Sequence, residues 1–115
     1  MNDDIRFYIH SELNMNCQWI KLGNKPLAIV PFQRRYKELV IKYLNEFHPT
    51  ILYQIDITND EWLKVILYQY NHMKLIYDYL PNEPNSIFDH WLIGKACGYS
   101  DEAIEQYLIK NDYIK

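Results

Sequence analysis

Histidines and carboxylates are the residue types in this chain that could carry out acid–base or metal chemistry. The four histidines are His10, His48, His72 and His90. None of them lies in an HExxH zinc-binding pattern, and the chain has neither a glycine-rich phosphate loop nor a G-x-S-x-G nucleophile turn. Asp89 and His90 are neighbours, but consecutive residues of a helix point about 100° apart, so the two side chains would not face each other. The sequence therefore predicts a protein that is not an enzyme and that uses no cofactor.

The two cysteines, Cys17 and Cys97, are far apart in the sequence, and no CxxC or Cys/His cluster surrounds either of them. This pattern predicts neither a disulfide framework nor a metal site, and it favours reduced thiols in the cytoplasm. The amino terminus, MNDDIRF, is acidic where a signal peptide would be basic. The longest apolar run, residues 26–32, contains two prolines and is too short to cross a membrane. We therefore expect a cytoplasmic protein without membrane contact.

Composition narrows the class of protein further. A chain of 115 residues fits one domain, and 49% apolar against 23% charged residues is enough to build a packed core. The formal net charge of −3 argues against a dedicated nucleic-acid binder. The 11 tyrosines against 4 phenylalanines favour half-buried positions and binding faces, because tyrosine adds a hydrogen-bonding tip to its apolar ring. Abundant Ile, Asn, Tyr and Lys, whose codons are AT-rich, favour an AT-rich bacterium, its phages or its mobile elements as the source.

Residues 1–32 are predicted to form the hairpin region. Residues 2–13 fit two structures: a strand, from the alternation of residues 5–10 (IRFYIH), or a helix capped by Asn2. The segments 17–22 and 27–30 predict a small β-hairpin, with the turn at Gly23 and the residue after it.

Two long helices are predicted between residues 33 and 80. Over 33–47 apolar residues recur at helical spacing, while the opposite face carries charges of alternating sign at Arg34, Glu38, Lys42 and Glu46. The longer helix, 59–80, would begin at the capping box of Thr58 and Glu61 and place Gln69 in the middle of a wide apolar arc. A homodimer could form along a seam at 3-4 spacing, although packing within one chain is the favoured interpretation. The seam residues are Leu63, Ile66, Tyr70, Met73, Tyr77 and Leu80.

The segment 86–111 predicts two short helices, 87–97 and 101–110, capped by Ser86 and Ser100 and separated by Gly98. This stretch resembles a helix-turn-helix over about 20 residues. The matching positions are Ile93, Gly94, Ala96, Gly98, Tyr99, Ser100, Ala103, Ile104 and Leu108. The resemblance implies that the second helix would enter the major groove. Its exposed side chains would be mostly carboxylates facing a polyanion, so the sequence argues against DNA binding through this helix.

These patterns predict a mainly helical α+β fold for residues 1–115: a compact single domain with a bundle of about four helices and a small N-terminal β-hairpin. The expected function is a small non-enzymatic protein-binding module, an accessory protein of a phage or mobile element that inhibits a host defence or replication protein. In its length and its predicted single-domain, cofactor-free character, the chain resembles anti-CRISPR proteins. The alternative is a helix-turn-helix DNA-binding transcriptional regulator. Two partner-binding faces are predicted. One is the flank of the long helix with Tyr68, His72 and Tyr79, and the other is the acidic patch of Asp101, Glu102 and Glu105.

Overall fold

The computed structural model describes residues 2–46 and 50–115, and the described chain forms five α-helices, one short 3-10 helix and three strands. In chain order the elements are α1 (Asp3–Lys21), β1 (Leu27–Gln33), the 3-10 helix (Arg34–Tyr36), α2 (Lys37–Glu46), β2 (Leu52–Ile57), β3 (Trp62–Tyr68), α3 (Asn71–Tyr79), α4 (Ile87–Ala96) and α5 (Asp101–Lys110). The fold is α+β, as predicted. Its centre is a three-stranded sheet, so the predicted four-helix bundle with a hairpin is wrong.

The sheet has the order β1-β3-β2, and β3 pairs antiparallel with both neighbours. Val65 at the centre of β3 lies opposite Val30 on one side and Ile55 on the other. A tight turn joins β2 to β3, where the Asn59 side-chain Oδ1 accepts hydrogen bonds from the backbone N–H groups of Glu61 (2.8 Å) and Trp62 (2.9 Å). Thr58 and Glu61, which were predicted to begin a helix, therefore lie in a hairpin turn instead.

The predicted helix over 59–80 is wrong, because the segment divides into β3, a two-residue link and α3. β3 is buried on both faces, so its sequence is a nearly continuous apolar run, which periodicity cannot distinguish from a buried helix. Leu63 and Ile66 lie on opposite faces of the sheet interior. The helical seam proposed for a homodimer therefore does not exist, and Gln69 is a half-buried residue of the link.

The amino-terminal segment forms the helical alternative. Asn2 caps α1 through its Oδ1, which accepts from the backbone N–H of Asp4 at 2.6 Å. The predicted hairpin of 17–22 with 27–30 is wrong, because α1 continues through Lys21 and β1 pairs with β3 far along the chain. Gly23, at φ +80°, ends the helix: its N–H donates to Ile20 O at 3.0 Å, a helix-terminating bond rather than a hairpin turn.

Helices cover both faces of the sheet. α1 and α2 bury a first core with one face of the sheet, and α3 and α4 bury a second, smaller core with the other face. The helix predicted over 33–47 is confirmed in its main part by the 3-10 turn and α2, with Leu39, Val40 and Leu44 buried and the charged residues of the opposite face exposed. Its last predicted residue, Phe47, lies outside the described residues.

The loop that follows α1 packs against the turn that follows α4, and this contact joins the two layers of helices. Gly98, at φ +82°, follows α4, and a Cβ placed on it would lie 2.8 Å from the backbone oxygen of Asn24. Next to this contact, the Lys25 ammonium lies 5.0 Å from the Trp19 ring centroid and 5.3 Å from the Tyr99 ring centroid. A cation between two aromatic rings stabilises the contact further, because each ring face attracts the charge.

The buried thiol of Cys17 predicts a loss of stability at alkaline pH. Burial raises the pKa of Cys17 from 9.0 to about 11, although the nearby Lys21 charge opposes the shift. Because the folded pKa is raised, the stabilisation is fully present below pH 9 and is lost as the pH rises from 9 towards 11. We expect this thiol to lower the free energy of unfolding by about 2 kcal/mol at pH 11 relative to pH 8.

Urea denaturation across this pH range measures the effect in the native chain and in Cys17→Ala. The variant should be less stable at pH 8 because it leaves a cavity, but its decline from pH 8 to 11 should be about 2 kcal/mol smaller. Parallel declines in the two proteins would show that Cys17 does not ionise differently in the folded and unfolded states.

Candidate functional site

The outward face of α3 carries an exposed apolar stripe, which we define as His72, Leu75, Ile76 and Tyr79. These residues follow the i, i+3, i+4, i+7 spacing that places side chains on one face of a helix. Leu75 is 61% exposed, Ile76 42% and Tyr79 89%. The ring of Tyr70, which precedes the helix, stacks on His72 with centroids 6.0 Å apart and extends the apolar surface by one residue. The α3 stripe is therefore a continuous row of large side chains that α3 does not use to pack on the sheet.

The opposite side of α3 fixes the orientation of the stripe. Met73 is buried against the second core, and the Tyr77 hydroxyl donates to the Asp56 carboxylate on β2 at 2.8 Å. Burial, together with this hydrogen bond to Asp56, raises the pKa of Tyr77 above its ordinary value. The other Asp56 oxygen accepts from Gln54 Nε2 at 2.7 Å. Because Asp56 is itself held by Gln54, α3 is tied to the sheet at a defined rotation.

The structure brings together two of the three residues predicted for this flank. His72 and Tyr79 lie on the α3 stripe, whereas Tyr68 is only 6% exposed and does not share this surface. Tyr68 belongs to β3 and faces the second core, next to Met73. Ile76 was missed because the helix predicted over 59–80 assigned it to the apolar arc that packs in the core, and no sequence pattern singled out Leu75.

The predicted turn at Gly98 between α4 and α5 is confirmed. Gly98 has a left-handed backbone, the Tyr99 N–H donates to Gly94 O at 2.9 Å, and Ser100 caps α5 through its hydroxyl, which accepts from Ala103 N–H at 3.1 Å. The acidic patch of Asp101, Glu102 and Glu105 is exposed on α5. The Lys95 ammonium forms an ion pair with Asp101, the first residue of this patch.

A cleft of about 430 Å³ lies between α4 and α5. It is lined by Pro84, His90, Ile93, Gly94, Tyr99, Ala103, Ile104 and Tyr107. The two helices approach closely where a Cβ on Gly94 would lie 2.8 Å from Ile104 Cγ1. His90, interpreted from the sequence as adjacent to Asp89 without facing it, packs its ring against Tyr107 and Tyr113 at centroid distances of 5.1 Å and 4.6 Å.

Within residues 2–46 and 50–115, no group of three or more His, Cys, Asp or Glu side chains is arranged to hold a metal ion. His48 lies outside these ranges. None of the helices described has both the length and the apolar character needed to cross a bilayer. No family model, curated protein or solved structure matches the chain.

Proposed function

We propose that this chain is a non-enzymatic protein-binding module that contacts its partner through the α3 stripe. The observation that carries the proposal is the exposure of Leu75, Ile76 and Tyr79 on a side of α3 that does not pack on the sheet. A helix packed on one side normally presents polar residues on the other. A contiguous apolar surface on a folded protein is a common mark of an interaction site.

The spacing of the stripe supports a helix-in-groove contact. Helices that dock into an apolar groove use anchors at i, i+3, i+4 and i+7, which is the spacing from His72 to Tyr79. None of the four stripe residues carries a carboxylate, an ammonium or a guanidinium group, and the charged residues Lys74 and Asp78 lie on another side of α3. The partner expected from this chemistry is a protein with an apolar groove of neutral character and a hydrogen-bond acceptor for the Tyr79 hydroxyl.

A second apolar patch lies on α4, where Phe88 and Trp91 are exposed. Their rings stack on each other with centroids 6.1 Å apart, so each already covers part of the other's surface. On α3, Leu75 is 61% exposed and Tyr79 89% exposed, and the stripe extends over two turns of the helix. We therefore assign the contact to α3 in preference to α4.

The finer form of the proposal is an accessory protein of a phage or mobile element that inhibits a host defence or replication protein. Its support is the AT-rich codon usage that the composition implies and the exposed α3 stripe. A short helix that fills an apolar groove would exclude any natural partner that needs the same groove. Inhibition then requires no chemistry from this chain.

Capture from a lysate of the native host tests the proposal with two matched variants of the full chain. Leu75→Asp with Ile76→Asp places charge on the stripe, and Lys74→Asp places the same side chain on the flank of α3. Proteins that bind through the stripe should be retained by the native chain and by the flank variant, and lost from the stripe variant. Retention of the same proteins by the stripe variant would overturn the assignment of the surface.

The second candidate function is a helix-turn-helix DNA-binding transcriptional regulator, which the left-handed turn at Gly98 favours. The exposed start of α5 carries Asp101, Glu102 and Glu105, whose charges oppose contact with phosphates. We expect electrophoretic mobility assays at low salt, where phosphate attraction is strongest, to show no sequence-preferring complex. A specific shift that is weakened by salt and lost in Gln106→Ala would instead support the regulator.

A further inference from the structure

We propose that the cleft between α4 and α5 binds a small uncharged phenol, independently of the protein-docking surface on α3. The cleft volume of about 430 Å³ lies in the range of small-molecule sites. It is roughly three times the volume of an engineered cavity that accommodates benzene, which leaves room for a substituted ring. Size therefore selects a molecule of one substituted ring or two fused rings.

The walls of the cleft select for an uncharged aromatic molecule. None of its lining residues carries a carboxylate, an ammonium or a guanidinium group. Ile93 and Ile104 supply aliphatic surface, while Tyr99 and Tyr107 supply aromatic rings against which another ring can pack edge to face or offset. A charged ligand would lose its hydration here without gaining an opposite charge.

His90 supplies the polar group that would orient the ligand. It lines the cleft, and its Nε2 is buried and has no hydrogen-bond partner among the described residues. A buried polar atom of this kind costs free energy unless a ligand or a water meets it. A hydroxyl can both donate and accept, so it satisfies Nε2 in either neutral tautomer of the imidazole. An aromatic ring that carries one hydroxyl group is therefore the simplest ligand that matches both the walls and His90.

The cleft is separate from the faces considered for macromolecular partners. Ala103 and Tyr107 line it, and each stands two residues from Glu105, so they point about 160° away from the middle of the acidic patch. No residue of α3 lines it. Loss of ligand binding in the cleft and loss of partner binding at α3 are consequently distinguishable by mutation.

Titration of the full-length ¹⁵N-labelled chain with 4-ethylphenol and with ethylbenzene tests the proposal, because the two probes differ only in the hydroxyl. We expect amide shifts centred on Gly94, Ala103 and Tyr107, and a dissociation constant about threefold to tenfold lower for 4-ethylphenol, as for one added hydrogen bond. In His90→Phe, which keeps a ring between Tyr107 and Tyr113, the two probes should bind within twofold of each other.

A second pair of variants keeps the test decisive if His90→Phe does not fold. Ala103→Phe places a ring at the wall of the cleft and should weaken both probes at least tenfold. Glu105→Phe adds the same ring on the far side of α5 and should leave both dissociation constants within twofold of the native values. Equal binding of the two probes to the native chain would overturn the role of His90. Absence of shifts at the cleft, as for a cleft that holds water alone, would overturn the site.

Discussion

We expect Gly98→Val to lower the free energy of unfolding by about 4 kcal/mol, the largest effect of any single surface substitution proposed for this chain. Gly98 has φ +82°, a conformation that costs a residue with a Cβ about 1–2 kcal/mol. Its Cβ would also lie 2.8 Å from Asn24 O and 3.1 Å from Lys25 Cα, which are backbone atoms that cannot rotate aside. Overpacking of this kind adds about 1–3 kcal/mol.

Gly23→Val is the matched control, because Gly23 has nearly the same backbone, with φ +80°, and open space where a Cβ would lie. It should cost only the conformational part, about 1–2 kcal/mol. Urea denaturation of both variants measures the difference in the free energy of unfolding. This difference isolates the contact of Gly98 with the loop that follows α1. Equal losses in the two variants would show that Gly98 and this loop do not press on each other.

The second large effect is expected on partner binding. Leu75→Asp with Ile76→Asp should weaken the affinity for the captured partner by more than about 100-fold, because anchors of a docked helix each contribute on the order of 2 kcal/mol. Leu75 is 61% and Ile76 42% exposed, so the double variant should stay folded, with a lower unfolding midpoint in urea because Ile76 loses its buried contacts. Lys74→Asp, on the flank of the same helix, should change the affinity by less than about fivefold.

Isothermal titration calorimetry with the purified partner measures these affinities, and urea denaturation reports whether the fold is retained. A stripe variant that unfolds would contradict the exposed position of Leu75 and Ile76. A stripe variant that stays folded and binds with native affinity would contradict their role as anchors.

Elements that depend on local signals were predictable from the sequence. Ser86 and Ser100 cap α4 and α5 because a serine hydroxyl reaches the N–H three residues along the chain, and Gly98 adopts the left-handed conformation that a helix end requires. The amphipathic pattern of α2 also identified its buried face, with Val40 at its centre. In each of these cases the stabilising contacts lie within a few residues of one another.

Elements that depend on distant partners were not predictable in this way. β3 is central, so both of its faces are buried, and its apolar run from Val65 to Tyr68 is equally consistent with part of a long buried helix. The pairing of Leu27 with Tyr68 joins segments that no local pattern connects. Gly23 illustrates a further ambiguity, because a glycine followed by a polar residue suits a hairpin turn and the end of a helix equally well.

The candidate binding surfaces also divide into residues that local spacing identified and residues that depend on distant contacts. His72 and Tyr79 were identified because they are seven residues apart, so any helix through both places them on one side. Tyr68 was assigned to the same flank only because the helix was extended back through β3. The cleft at His90 could not be predicted, since it depends on how closely α4 and α5 approach at Gly94.

Hydrogen–deuterium exchange of the complex with the captured partner tests the central claim most directly, namely that the α3 stripe is the docking surface. The proposal predicts slower exchange of the α3 amides from Asn71 to Tyr79 on binding, with the α5 amides from Asp101 to Lys110 unchanged. Slower exchange confined to α5, with α3 unchanged, would contradict it and would assign the contact to the acidic patch.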